Sequence, residues 1–328
     1  MHPKIWILYL ILPGRFGLIL TGLLLFAVLA VVFVAMGDVR SLFTSGALFF
    51  CAMPAYMVPV FGYINRISVQ AVADLNSSLD MPQEELQRFQ WALSHRSLAW
   101  NILVTGAGLL GGVLHLIIID GGRGTNLAQW LSHALESSGD LGALIVWVVM
   151  TITIVCLVQN GIRIGRLARR LRPINLFRTD RLLPFARVAV SSSLALIGSL
   201  ALFPLLSIDQ NISLLTALPG LVATVVPMIA MMLLPMWPAH KLIKAKKAQE
   251  IARLNALLDS LENSPGQLLD CARLDKINRV LNHRRHMQHV SDWPLDIGAL
   301  SQLGFYLIIP PLTWVGAALI ENVVDAVL

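Results

Sequence analysis

The sequence is short of charge. Asp, Glu, Lys and Arg make up 13% of its 328 residues, against about 25% in an ordinary soluble domain, so the chain cannot clothe a water-facing surface. Cysteine is scarce too, with three in all. Cys51 and Cys156 fall in apolar stretches and Cys271 in a polar one, which offers no outward pair for a disulfide framework. No Walker loop, His-Glu-x-x-His, Cys-x-x-Cys or Gly-x-Ser-x-Gly occurs. That removes the usual signatures of nucleotide hydrolysis, zinc proteolysis, thiol redox chemistry and serine hydrolysis. The first apolar stretch is too long for a cleaved leader and carries no small-residue cleavage motif.

What is present is apolar: hydrophobic residues make up 56% of the chain and the mean hydropathy is +0.70. They fall into blocks of membrane-spanning length, about 20 residues for ~30 Å of hydrocarbon. Seven spans are predicted: Phe16–Met36, Leu42–Ile64, Leu98–Ile119, Leu141–Val158, Val188–Leu206, Ile212–Trp237 and Ile297–Ile320. The expected fold is an all-α polytopic membrane bundle. Residues 1–237 would hold spans one to six, 238–294 a cytosolic helical hairpin, and 295–328 the seventh span with a short outward tail.

Charge orients the bundle. With the N-terminus inside, the outward segments hold just two of the 25 Lys and Arg residues, Arg40 and Arg123, and seven of the 19 acids. Such an excess of inward basic residues over short loops predicts an N-in, C-out topology, in a bacterial cytoplasmic membrane. The formal charge of +6 then reflects topology, and no nucleic-acid partner is expected.

The stretch NILVTGAGLLGG imitates a dinucleotide fingerprint through Gly106, Gly108 and Gly111. A real one needs a following amphipathic helix, a second strand and an acid about 20 residues on. Here an apolar VLHLIII follows and Asp120 comes too soon. The better reading is a spanning helix whose Gly108-xxx-Gly112 face lets a neighbour approach closely.

The connectors carry the polar content. In 65–97, Asp80 is placed as an N-cap, with Pro82, Glu84 and Glu85 in the first turn. Leu86, Phe89, Trp91, Leu93, Arg88 and Arg96 then suggest a helix on the inner membrane surface. The connector 160–187 is rich in arginine. Arg163, Arg166, Arg169, Arg170 and Arg172 read first as topology pins, and functionally as a site for anionic lipid headgroups or a cytosolic protein partner. In the hairpin, Ile251, Leu254, Leu258 and Leu261 make two coiled-coil-like heptads, and Asn263–Gly266 marks a turn. Leu269, Leu274, Ile277 and Leu281 are expected on the apolar side of the returning helix.

Chemistry-bearing groups are few. No Asp, Glu, Lys or Arg falls inside a span as drawn, which argues against a carboxylate-coupled transporter. His115 is the one ionisable residue there and reads as interfacial or hydrogen-bonded between helices. Prolines are the second pointer: the sixth span contains Pro219, Pro227 and Pro235, and Pro310-Pro311 should interrupt or sharply bend the seventh. The freed carbonyls would take partners such as Tyr306 and Thr313, making a hinge or permeation site, or only a packing kink. His283, His286 and His289 do not match a metal spacing. His133, Glu136, Asp120 and His115 could assemble an outward metal hydrolase, although the same loop reads as a surface helix. No cofactor is expected. The function these features favour is an oligomeric channel or permease-like protein. A scaffold or sensor docking a cytosolic partner is the alternative, and an outward-facing hydrolase the third reading.

Overall fold

The computed structural model describes residues 2–37, 46–120, 138–171, 182–206, 214–262 and 271–293. Among these the chain is all-helical, with no strand and two isolated β-bridges. Eight α-helices are described: α1 (Gly17–Met36), α2 (Ala47–Asp74), α3 (Gln83–Ser94), α4 (Leu98–Asp120), α5 (Ser138–Leu167), α6 (Leu183–Leu200), α7 (Leu214–Glu262) and α8 (Cys271–His289). All but α3 and α8 are long and apolar enough to cross a membrane, and the chain is an integral membrane protein. The expected seventh span lies outside the described residues, with Tyr306, Pro310, Pro311 and Thr313.

Four helices pack as a bundle in ring order: α2 touches α5, α5 touches α7, α7 touches α6, and α6 returns to α2, with α5 and α6 also in direct contact. Helix α1 lies outside on α2 and α4 outside on α5. Their composition explains the placement. Ile19, Leu20, Leu23, Leu24, Val28 and Val31 of α1 stay exposed, as do Ile102, Leu103, Leu109 and Leu110 of α4. Surfaces of this kind are stable only against hydrocarbon. The ring helices instead bury a core that includes Met53, Met57, Phe61, Val149, Ile152, Cys156, Leu196 and Met231.

Close approach depends on small residues, because lipid-embedded helices gain no hydrophobic drive to associate. A Cβ at Gly108 would lie 2.9 Å from the Val148 Cα, and one at Gly112 2.9 Å from Leu144 Cδ2, so both glycines sit in the α4–α5 contact. A second pair, Gly161 and Gly165 on α5, meets Met231, Leu234, Pro235 and Pro238 of α7. The three glycines Gly106, Gly108 and Gly111 lie within one helix, which leaves no strand–turn–helix for a dinucleotide.

Several expectations need correction. Helix α2 begins at Ala47 and runs to Asp74, and α5 runs to Leu167, each about ten residues beyond its apolar block. The extensions are stabilised by packing on one another: Ile67, Ala71, Val72, Leu75, Ile164, Leu167 and Phe185 share a second core with Leu86 and Leu93 of α3. Asp80 does not cap α3, whose N-cap is Pro82, and the Asp80 N–H instead donates to the Arg170 carbonyl at 2.9 Å. The prolines do not break α7, which is continuous for 49 residues, through Pro227 and across residue 237. Neighbouring helices re-satisfy the freed carbonyls in such bundles. On α8, Leu274 and Leu281 are exposed, whereas Val280 and Met287, with Val290 just beyond the helix, join the second core together with Ile251 and Leu254. The expected turn at 263–266 lies outside the described residues.

Candidate functional site

The α3–α4 corner, Ser94-His95-Arg96-Ser97, is held by the start of the chain. Ile5 N–H donates to the Ser94 carbonyl at 3.0 Å and Arg96 N–H to the Pro3 carbonyl at 3.0 Å, around the Lys4–His95 bridge. Trp6 locks the same segment to α4: its indole N–H donates to Thr105 Oγ1 at 3.0 Å. Ile5 and Ile7 are fully buried behind it. With its backbone pinned, Arg96 turns its side chain inward and is only 5% exposed.

That guanidinium is the centre of a polar cluster. Its Nη2 donates to Asn160 Oδ1 at 2.7 Å, and its Nη1 to the carbonyls of Ala92 and His95, the latter at 3.0 Å. Asn160 Nδ2 donates in turn to the Leu93 carbonyl at 3.2 Å. Arg163, one turn further along α5, donates from Nη1 to the same Ala92 oxygen at 2.7 Å. Asn65 of α2 reaches Ser94 Oγ at 2.8 Å, and Arg96 lies 5.6 Å from the Trp100 ring centre. The last carbonyls of α3, which a helix leaves without internal partners, are thereby satisfied: the two arginines share that of Ala92, Asn160 takes that of Leu93 and the Ile5 N–H that of Ser94.

The electrostatics are lopsided. Two guanidiniums hydrogen-bonded to one oxygen lie within about 6 Å of each other. Unit charges at that separation repel by roughly 3 kcal/mol at the effective dielectric of a protein. No carboxylate among the described residues pairs with either. Glu85 of α3 pairs with Arg170, and Asp74 of α2 with Arg187 at 3.0 Å. The C-terminal dipole of α3 supplies only about half a negative charge. Burial, then the neighbouring charge of Arg163, pushes the Arg96 guanidinium down to about 10, so it stays charged at neutral pH. Arg96 Nε is buried without a hydrogen-bond partner.

A second polar feature runs through the ring. Thr153 of α5 and Ser193 of α6 are each 2% exposed, and their hydroxyls have no partner. Ser192 and Ser199 of α6 and Thr224 of α7 are also buried, with Ser199 donating to the Leu196 carbonyl at 2.7 Å. On the outer side of the ring, His115 of α4 faces Trp147 with ring centres 5.5 Å apart, and its Nδ1 has no partner.

Of the arginines singled out from sequence, Arg163 is taken into the cluster and Arg170 pairs with Glu85. Arg166 and Arg169 are exposed, and Arg172 lies outside the described residues. Pro227 lies partly buried within continuous α7. His133 and Glu136 lie outside the described residues, and among the described ones no three His, Cys, Asp or Glu side chains gather as metal ligands. Sequence reasoning missed the role of Arg96. Its signal was present: an arginine two residues before an apolar span, and Asn160 with Arg163 three apart on one face of a helix. No protein family matches this chain, and neither a curated protein nor a solved structure resembles it.

Proposed function

We propose that the chain is a channel or permease-like protein of the bacterial cytoplasmic membrane, oriented N-in and C-out. The observation that carries this reading is the pair of buried, unpartnered hydroxyls at Thr153 of α5 and Ser193 of α6, two helices of the ring. A polar group buried without a partner costs about 1–3 kcal/mol, and a passing polar solute would supply that partner. The absence of acidic residues from the apolar spans favours passive movement over proton coupling. In this reading the Pro310-Pro311 pair hinges the seventh span, and the α7–α8 arm is a cytosolic hairpin that gates or assembles the copies.

The test is flux from proteoliposomes of the purified chain, combined with S193C and T153C in a background lacking the native cysteines. Flux above empty vesicles, blocked when a small membrane-impermeant thiol reagent modifies S193C, supports the reading. Absent flux together with unreactive cysteines at both positions sinks it. P310A and P311A test the hinge separately, and unchanged flux removes it.

One observation favours a second reading, a scaffold that docks a cytosolic protein. Leu257 of α7 and Leu274 and Leu281 of α8 expose 42%, 50% and 40% of their surface on the arm. Deletion of 241–290 that abolishes capture of a stoichiometric partner would support it.

A further inference from the structure

Arg96 and Arg163 present two positive charges to one small volume and receive no carboxylate from the described residues. Nature's usual solution to a buried or half-buried arginine is an acid partner, whereas Glu85 of α3 and Asp74 of α2 pair with Arg170 and Arg187 instead. Among the described residues Arg163 has one hydrogen bond, to the Ala92 carbonyl, and it is only partly buried. The rest of its guanidinium fork is turned to no protein acceptor among the described residues. Behind it, Arg96 Nε is also without a partner.

We propose that Arg96 and Arg163 form a binding site for a phosphoryl group at the corner where α3 meets α5. A tetrahedral oxyanion matches the paired N–H groups of a guanidinium fork, as a single point charge would not require. It enters from the Arg163 side, the accessible member. Arg96, anchored by Asn160 and the carbonyls of Ala92 and His95, supplies the second charge from within. The bound group removes the mutual repulsion of the two arginines and ties α3 to α5. Trp91, 42% exposed and stacked on His95 at 4.1 Å, and the nearby His2 offer aromatic and imidazole surface beside the corner. The phosphoryl group comes from a lipid headgroup or from a soluble phosphate, and both sources place the same oxygens against the same two side chains. This inference does not depend on transport: a scaffold would hold the group equally well.

The experiment uses the full chain with two arms. In the first, native mass spectrometry counts phosphatidylglycerol retained on protein released from nanodiscs. In the second, inorganic phosphate is titrated calorimetrically against the detergent-solubilised chain. Binding in at least one arm is expected, weakened about tenfold in R163Q, as loss of a charge-assisted hydrogen bond implies. Lipid retention alone assigns the headgroup, and calorimetric binding alone assigns the soluble anion. Absence of binding in both arms, or binding unchanged in a folded R163Q, overturns the proposal. If R163Q does not fold, R163K takes its place, since it keeps the charge and removes the fork. Binding must then fall about threefold or more, and R163K equal to the wild type in both arms overturns the proposal.

Discussion

Replacing Gly165 by alanine should separate two helices that now touch backbone to backbone. A Cβ there would lie 2.7 Å from the Leu234 carbonyl oxygen, 3.3 Å from Pro238 Cγ and 3.5 Å from Pro235 Cα. Carbon seldom approaches oxygen closer than about 3.4 Å, so α7 has to retreat by about 0.7 Å along this contact. A gap of that size forfeits a quarter to a half of the dispersion energy of each neighbouring pair, and overpacking of this kind costs about 1–3 kcal/mol. Two controls isolate the cause. At Gly161 the nearest atom is closer still, 2.6 Å, but it is Met231 Cε, the free end of a flexible side chain. G161A is therefore expected to cost less than about 1 kcal/mol. At Gly106 nothing lies within 4 Å, so G106A leaves stability unchanged or slightly raised by helix propensity. Thermal unfolding in one detergent should rank the midpoints G106A, then G161A, then G165A, the last lower than wild type by about 2–6 °C. A G165A midpoint equal to that of G106A would refute the argument that backbone contact, not glycine content, holds α5 to α7.

Three further outcomes are expected. R96M keeps apolar volume but strands Asn160 Oδ1 and the His95 carbonyl, so it should lose about 2–4 kcal/mol in the same unfolding assay; a neutral result would mean that the corner is held by the chain start alone. K247M removes an ammonium that is 15% exposed and donates to the Val290 carbonyl at 2.8 Å and to Asp292 at 3.0 Å. Hydrogen exchange should rise across α8 by a factor reflecting about 1 kcal/mol, and unchanged exchange would show that apolar contacts suffice. R187A breaks a pair whose side chains are half exposed, 53% and 51%, and should shift the midpoint by less than about 1 °C; a larger fall would point to a burial that the pair does not have.

The membrane class was legible from composition, because lipid accepts what water rejects and leaves that preference in every apolar block. The ends of the helices were not. Hydropathy measures the hydrocarbon layer, whereas α2 and α5 stop where their packing stops, at Asp74 and Leu167. Nor was the continuity of the sixth span legible: each proline removes a backbone donor, yet α7 runs unbroken through Pro227, and Pro235 and Pro238 pack against Gly161 and Gly165 of the next helix. The polar cluster was hidden by distance along the chain: Arg96 meets Asn160 across 64 residues, and periodicity within one helix carries no record of such a pair. The α4–α5 contact was easier, since Gly108 and Gly112 repeat within a single turn of sequence.

Helix α7 also has a mechanical consequence. Its 49 residues extend about 73 Å without a joint, while a bilayer core occupies only ~30 Å. The remainder is a lever whose fulcrum is the glycine-lined contact with α5. A tilt of about 5° at the fulcrum would carry the far tip sideways by about 3–4 Å, with α8 riding on it. Anything that grips the arm can therefore be felt between the ring helices, and a rearrangement of the ring is amplified at the tip.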